Sequence, residues 1–366
     1  MFTVLDSQWM ARALRLAERG MFSASPNPRV GCVLVCDDKL IGEGWHVRAG
    51  EPHAEAIALR AAGKAARGAT AYITLEPCSH HGRTPPCADA LINSGVARVV
   101  VAVQDPNPQV AGRGLATLRA VGIAVECGLM EDVARELNIG FFARMTQGMP
   151  WLRSKIALSV DGRTALNNGI SQWITGSESR QDGQRWRARS CAVMTGIGTV
   201  LADDPLLTVR DIESSRQPLR VVLDSQLRLP LTARLVQQPG VVVYTAASDS
   251  RKIAALTQMG VQLVILPEIN GRMDLISVLS DLASRECNEV LVEAGSVLNG
   301  ALLQAGLVDE MLLYLAPQLL GEFARSMVQL GELVTLDQRI ELEWRDIRQV
   351  GNDLRIIAHV KRDRYV

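Results

Sequence analysis

The chain has 366 residues, 48% of them apolar, and its 39 Lys and Arg balance its 39 Asp and Glu. That length exceeds one ordinary core and points to two folded domains. Zero net charge argues against a surface built to hold a nucleic-acid polyanion, so the expected partner is a small molecule and not nucleic acid. No segment approaches the roughly 18 uninterrupted apolar residues of a membrane span, and no membrane role is expected. The start Met1-Phe2-Thr3-Val4-Leu5-Asp6 lacks the basic and long apolar regions of an export signal, and seven cysteines is an odd number. Together these predict a reducing, cytoplasmic setting.

In chain order, Met10, Ala13, Leu14 and Ala17 give a helix over residues 6–18, with Gly20 as its stop. Apolar runs at residues 30–35, 71–75 and 99–103 read as buried strands, separated by helical patterns at 54–62, 88–94 and 114–120. A helical pattern over 131–142 precedes a boundary in Met145-Thr146-Gln147-Gly148-Met149-Pro150, dividing the chain into domains 1–147 and 148–366. The second domain opens on a strand at 151–157, with further strands at 192–196, 220–223, 241–244, 261–266 and 289–293 and helices at 275–284 and 296–305. A strand at 311–316 and a hairpin of 342–349 with 354–360, turned through Gly351-Asn352-Asp353, complete it. Alternating strands and helices predict α/β layering in both domains.

His53-Ala54-Glu55, followed by Pro77-Cys78 and then Cys87, supplies an imidazole and two thiols with a carboxylate beside them. A structural zinc site takes four protein ligands, whereas a catalytic one keeps a position open; three ligands, His53, Cys78 and Cys87, therefore predict a catalytic Zn2+. Glu55 is left free to move protons. The pattern follows the signature of zinc nucleobase deaminases, H-x-E…P-C-x-x-C. It departs from it in the spacing: eight residues, 79–86, separate the cysteines instead of two. That insert carries His80, His81 and Arg83, groups suited to a phosphate, so a phosphorylated sugar on the substrate is expected. The plainer reading is a loop that only closes the site. His53 opens a predicted helix, the cysteine pair lies where a strand ends and another helix begins, and helix N-termini favour thiolate over thiol.

The second domain has no Walker loop, and Thr195-Gly196-Ile197-Gly198-Thr199 lacks the third glycine of a dinucleotide fingerprint. Still, Gly196 to Thr199, Asp224-Ser225 and Glu293-Ala294-Gly295-Ser296 all follow predicted strands, where ligands of open parallel sheets collect. The helix at 296–305 would offer its first amides to a pyrophosphate. Ordinary turn chemistry explains the same residues equally well. Lys155 with Ser159 to Arg163, Ser171 to Thr175, and Ala202 to Arg210 are unusually polar loops. Trp173 suits stacking on a flat heterocycle or rim packing, and Arg187 and Arg210 suit a second phosphate or plain solvation.

Taken together, Pro26-Asn27-Pro28, Gly50-Glu51-Pro52-His53-Ala54-Glu55, Thr74-Leu75-Glu76-Pro77-Cys78, Cys87, Gln104-Asp105-Pro106-Asn107-Pro108, Ser159-Val160-Asp161-Gly162-Arg163, Ser171-Gln172-Trp173-Ile174-Thr175, Leu201-Ala202-Asp203-Asp204-Pro205 and Val292-Glu293-Ala294-Gly295 resemble the RibD/RibG family, the bifunctional deaminase–reductases of riboflavin biosynthesis. The resemblance covers essentially the whole chain. It implies an N-terminal cytidine-deaminase-like three-layer α/β/α domain, a zinc-dependent pyrimidine deaminase, and a C-terminal dihydrofolate-reductase-like α/β domain, an NADPH-dependent reductase. The two would act in turn on a phosphoribosylated diaminopyrimidine. A ring amino group is hydrolysed off, then the ribosyl chain is reduced to ribityl with hydride delivered to the sugar C1.

On this resemblance Glu55 carries the proton to departing ammonia, and Asn27, His46, His80 and Arg83 hold the deaminase substrate. Ala157, Trp173, Thr175, Thr199, Asp203, Ser225 and Gly295 match NADPH positions, and Ser171, Arg187, Leu207, Arg210 and Glu293 match substrate contacts. Lys155 is expected to assist proton transfer, and a homo-oligomer is expected. Ala294 stands where many family members have glycine, and its methyl is expected to crowd the cofactor pyrophosphate; Arg83 stands where lysine also occurs.

Two rival readings remain at this point. A zinc nucleobase deaminase acting on another nucleotide or on nucleic acid, with a non-catalytic second domain, would want a basic groove and stacking platforms, against zero net charge and 4% aromatics. A zinc-stabilised binding module would have no use for a free carboxylate beside the metal.

Overall fold

The computed structural model describes residues 2–79, 86–108, 110–269 and 271–361. They form two compact units, Met1–Gly148 and Met149–Val366. The first unit runs α1 (Val4–Glu18), β1 (Gly31–Cys36), β2 (Lys39–Trp45), α2 (Ala54–Ala62), β3 (Thr70–Ile73), α3 (Cys87–Ser94), β4 (Arg98–Val101), α4 (Arg113–Ala120), β5 (Ala124–Cys127), α5 (Glu131–Leu137) and α6 (Ile139–Gln147). Its strands form one sheet in the order β2-β1-β3-β4-β5. The pairs β1–β2 and β1–β3 are antiparallel, and β3, β4 and β5 run parallel.

Strand alternation makes this unit three-layered. Val33, Val35, Tyr72 and Val100 face Met10, Ala13, Leu14 and Ala17 of α1 together with Phe141 and Phe142 of α6. Cys32, Leu34, Ile73, Val99 and Val101 face the opposite way, onto Ala54 and Ala58 of α2, Ala88 and Leu91 of α3, and Leu115 and Leu118 of α4. Helix α2 lies close on the sheet because Gly44 has no side chain; a Cβ there would stand 2.6 Å from the Ala54 carbonyl oxygen. That seats the helix start, and hence His53 and Glu55, against β2.

The pattern over 131–142 is two helices and not one. Asn138, between α5 and α6, takes φ −114° and gives its side chain to a distant segment, accepting from the Arg29 N–H at 2.8 Å and donating to the Arg29 carbonyl at 2.9 Å. A tertiary pairing thus interrupts the local helix.

The second unit runs β6 (Trp151–Ser159), β7 (Arg163–Ala165), α7 (Ser177–Arg189), β8 (Ala192–Gly196), α8 (Ile197–Asp203), β9 (Leu219–Leu223), β10 (Val241–Thr245), α9 (Ser250–Gln258), β11 (Gln262–Ile265), β12 (Glu268–Ile269), β13 (Arg272–Met273), α10 (Leu275–Ser284), β14 (Glu289–Val292), α11 (Ser296–Gln304), β15 (Glu310–Ala316), β16 (Arg325–Ser326), β17 (Leu342–Val350) and β18 (Asp353–Val360). A nine-stranded sheet has the order β11-β10-β9-β8-β14-β6-β15-β18-β17. The first seven strands run parallel, β18 is antiparallel to β15, and β17 is antiparallel to β18. Val290 and Val292 in β14 join Met194, Val221 and Val242 in the main core. The near-continuous apolar runs of β8 to β10 follow from burial on both faces. Among the described residues no helix is long and apolar enough to cross a membrane.

Candidate active sites

In the first unit the three expected metal ligands come together. His53 is the residue before α2, Cys78 lies in the connection after β3, and Cys87 is the first residue of α3. His53 Nδ1 stands 3.3 Å from Cys87 Sγ and 3.7 Å from Cys78 Sγ. Ligand lengths around tetrahedral zinc place neighbouring N and S donors about 3.5 Å apart, so this trio fits one ion. Neither sulfur is in a disulfide. The Cys87 backbone N–H donates to Cys78 Sγ at 3.3 Å, an interaction of the helix start with a thiolate.

The two thiols share one easy ionisation. The Cys87 thiol, helped by His53 and the Cys87 N–H, outweighs burial and draws Cys78 down to about 4, while its neighbour Cys78 and burial push Cys87 up. His53 is raised, first by its hydrogen bond with Cys78. A dication beside such a pair takes both sulfurs as thiolates.

Glu55 is the second residue of α2 and is only 3% exposed. Burial raises its carboxyl to about 6, against the opposing pull of His53. A carboxyl near neutrality next to a trio of groups able to hold a metal suits general acid–base work. His46 Nε2 lies 3.0 Å from Asn27 Nδ2 and its Nδ1 3.3 Å from the Pro52 carbonyl. An amide N–H can only donate and a carbonyl only accept, so these partners select a neutral imidazole protonated on Nδ1. Burial lowers its pKa in the same sense. The His46 ring meets the His53 ring edge-on, centroids 5.3 Å apart, joining Asn27 and His46 to the His53, Cys78 and Cys87 trio. His80 and Arg83 lie outside the described residues.

In the second unit the strand ends form a line. Glu293 follows β14, its N–H bonded to Met194 of β8 and its carbonyl to Thr195 Oγ1. Lys155 of β6 follows Ser154, the register partner of Val292, and so stands beside Glu293. Arg187 of α7 reaches down to Glu293 through two hydrogen bonds, of 2.6 and 2.8 Å, and donates to the Thr208 carbonyl at 3.0 Å. Arg187 is therefore neither solvated nor free; its guanidinium faces Glu293. Burial raises Glu293, but Arg187, Lys155 and Arg210 overcome it and hold the carboxyl at about 2. Burial lowers Lys155, with Glu293 opposing.

Other expected positions are placed as follows. Ala157 lies two residues after Lys155, on the same face of β6. Trp173 is 68% exposed with the Arg180 guanidinium 4.5 Å over its ring, and Arg180 also donates to the Thr175 carbonyl. Thr199 and Asp203 are in α8, which starts where β8 ends. Asp224 is buried and accepts from the Leu229 N–H at 2.7 Å, and Ser225 after it is half-buried. Gly295 precedes α11, which has no side-chain cap. Leu207 is buried at φ +54°, Arg210 is exposed, and Ser171 is half-buried. Sequence reading missed Tyr314, whose ring lies 5.7 Å below Lys155 Nζ and whose hydroxyl donates to Asp182 at 2.6 Å. A tyrosine inside the apolar run MLLYLA of β15 was the available signal.

Two family models match: the cytidine and deoxycytidylate deaminase zinc-binding region over residues 3–103, and the RibD C-terminal domain over residues 150–356. The riboflavin biosynthesis protein RibD of Escherichia coli is 51% identical over 361 residues, covering 95% of this chain and 98% of the relative. The protein of the same description from Haemophilus influenzae is 45% identical, with 97% of each covered. Among solved structures, form 1 of Acinetobacter baumannii RibD superposes with a TM-score of 0.92 at 47% identity, covering 98% of this chain and 99% of that one. A diaminohydroxyphosphoribosylaminopyrimidine deaminase/5-amino-6-(5-phosphoribosylamino)uracil reductase from Thermotoga maritima gives 0.87 at 32% identity, with the same coverage. The chain belongs to the RibD family of riboflavin biosynthesis proteins, carrying a zinc-binding deaminase region followed by a reductase domain.

Proposed function

We propose that this bifunctional enzyme first deaminates the phosphoribosylated diaminopyrimidine and then reduces the ribosyl chain of the product with NADPH. The observation that carries the reading is the pairing of two separate constellations on one chain: the His53, Cys78, Cys87 and Glu55 cluster, and the Lys155, Arg187 and Glu293 cluster. The deaminase belongs to residues 1–147 and the reductase to residues 148–366, a division supported by the compact units.

In the deaminase, His53, Cys78 and Cys87 hold zinc, which when bound supplies a Lewis acid that makes water a nucleophile near neutral pH. Glu55 takes the water proton and passes it to the leaving amino group, which departs as ammonia while the ring carbon gains oxygen. Asn27 and neutral His46 hold the pyrimidine edge, and His80 and Arg83 the phosphorylated sugar.

In the reductase, the loops after β8, β9 and β14, with Ala157, Trp173, Thr175, Thr199, Asp203, Ser225 and Gly295, receive NADPH, whose chemistry is hydride donation. Ser171, Leu207, Arg210, Arg187 and Glu293 hold the ribosyl chain, and Lys155 delivers a proton to the substrate as C1 is reduced. Lowered basicity from burial suits that role.

The seven free cysteines support a reducing cytoplasm. Phe323, Leu336, Trp344 and Ile347 expose large apolar side chains on the second unit, which supports self-association. The test of the reductase assignment is nicotinamide absorbance: the deaminated substrate oxidises NADPH, and no oxidation removes that half of the reading.

A further inference from the structure

We propose that Glu76 is a positioning residue of the deaminase site: its carboxylate caps α4 from outside that helix and thereby holds the backbone that presents Cys78. Glu76 is 3% exposed, yet it meets four backbone donors. One carboxylate oxygen accepts from the N–H groups of Asp105 at 3.2 Å and Gly112 at 2.9 Å, and the other from Gly114 at 2.9 Å and Leu115 at 3.3 Å. The N–H groups of a first helical turn have no partner within their own helix, and α4 brings no cap, because Gly112 at its start has no side chain. An anion at that end is also favoured by the helix dipole.

The connection to the metal is short. Only Pro77 stands between Glu76 and Cys78, and its ring removes one backbone freedom, so a displacement at Glu76 reaches the ligand. The Glu76 N–H donates to the Val103 carbonyl at 3.0 Å, tying the same residue to the exit of β4. Gly114 allows the close fit: a Cβ on it would collide with the Pro77 carbonyl oxygen. The first turn of α4 therefore lies directly on the peptide that leads into Cys78.

This inference rests on His53, Cys78 and Cys87 being the zinc ligands. It is tested on the full-length chain by measuring zinc affinity through chelator competition for wild type, E76Q and E76D. E76Q keeps the size but turns an amide toward backbone donors; E76D keeps both oxygens one methylene back. Zinc affinity is expected to fall by about 10- to 100-fold in E76Q, as for residues that orient metal ligands, and by less in E76D. Deaminase kcat is expected to return when zinc is in excess, with NADPH-dependent reductase turnover unchanged throughout. An E76Q chain that binds zinc as wild type does overturns the proposal, whatever its melting temperature, and so does an E76D chain that loses as much affinity as E76Q. A wild-type chain that binds no zinc overturns the ligand reading instead.

Discussion

Arg187 grips Glu293 through both of its carboxylate oxygens, at 2.6 and 2.8 Å, directly beside Lys155. Lysine cannot reproduce that fork. Arg187→Lys therefore loses at least one charge-assisted hydrogen bond, worth about 2 kcal/mol. If the pair positions the ribosyl chain, reductase kcat/KM falls roughly 30-fold, the rate equivalent of that energy. Deaminase turnover stays at the wild-type value. Steady-state assays of both reactions on one preparation check this, and equal losses in both would point to general misfolding.

Glu55→Gln keeps the shape of the side chain but not its proton chemistry. Zinc content by metal analysis is expected to be unchanged, and ammonia release to fall roughly 100- to 10,000-fold. Since burial raises Glu55 to about 6 and a neighbouring dication pulls it back down, the acid limb of wild-type deaminase kcat/KM is expected at or below about pH 6. Undiminished ammonia release in the variant removes Glu55 from the mechanism.

Asp6 contributes to stability at the start of α1. Arg98 donates to both of its oxygens and the Tyr72 hydroxyl to one, which outweighs burial and holds its pKa well below the usual 3.8. A depressed carboxylate stabilises the fold fully above its unfolded value and loses that effect as pH falls through the folded one. Asp6→Asn is expected to cost about 2 kcal/mol at neutral pH, since Arg98 is partly solvated. The gap should narrow below about pH 4. Chemical denaturation of both chains across that range measures it.

At Ala294, where the family commonly has glycine, the structure favours a packing role over contact with the cofactor. Its side chain packs against the main core and its carbonyl accepts from Asn299 at 3.0 Å. Ala294→Gly is accordingly expected to leave the KM for NADPH unchanged and to lower stability by about 1 kcal/mol or less. A lower KM in the glycine chain would show the methyl to face the ligand after all.

Much of this arrangement could be read from residue order because apolar period and metal-ligand spacing are local signals. The strands around Val33, Ile73, Val100 and Val292, and the His53, Cys78 and Cys87 trio, needed nothing else. What stayed hidden depended on tertiary partners or on polar faces. Strand β2, with glycines at 42 and 44, carries little apolar signal, and α7 is polar over most of its length apart from Trp186. The break at Asn138 comes from Arg29, over 100 residues away, and the cap of α4 from Glu76 far upstream. No window of the sequence contains both partners.

The most direct test of the bifunctional reading supplies the phosphoribosylated diaminopyrimidine to one preparation of the full chain, with and without NADPH, and identifies the products by mass. The account expects one amino group exchanged for oxygen without NADPH, and that same product carrying two further hydrogens with it. Recovery of unchanged substrate in both reactions, or a deaminated product that NADPH never alters, would contradict it.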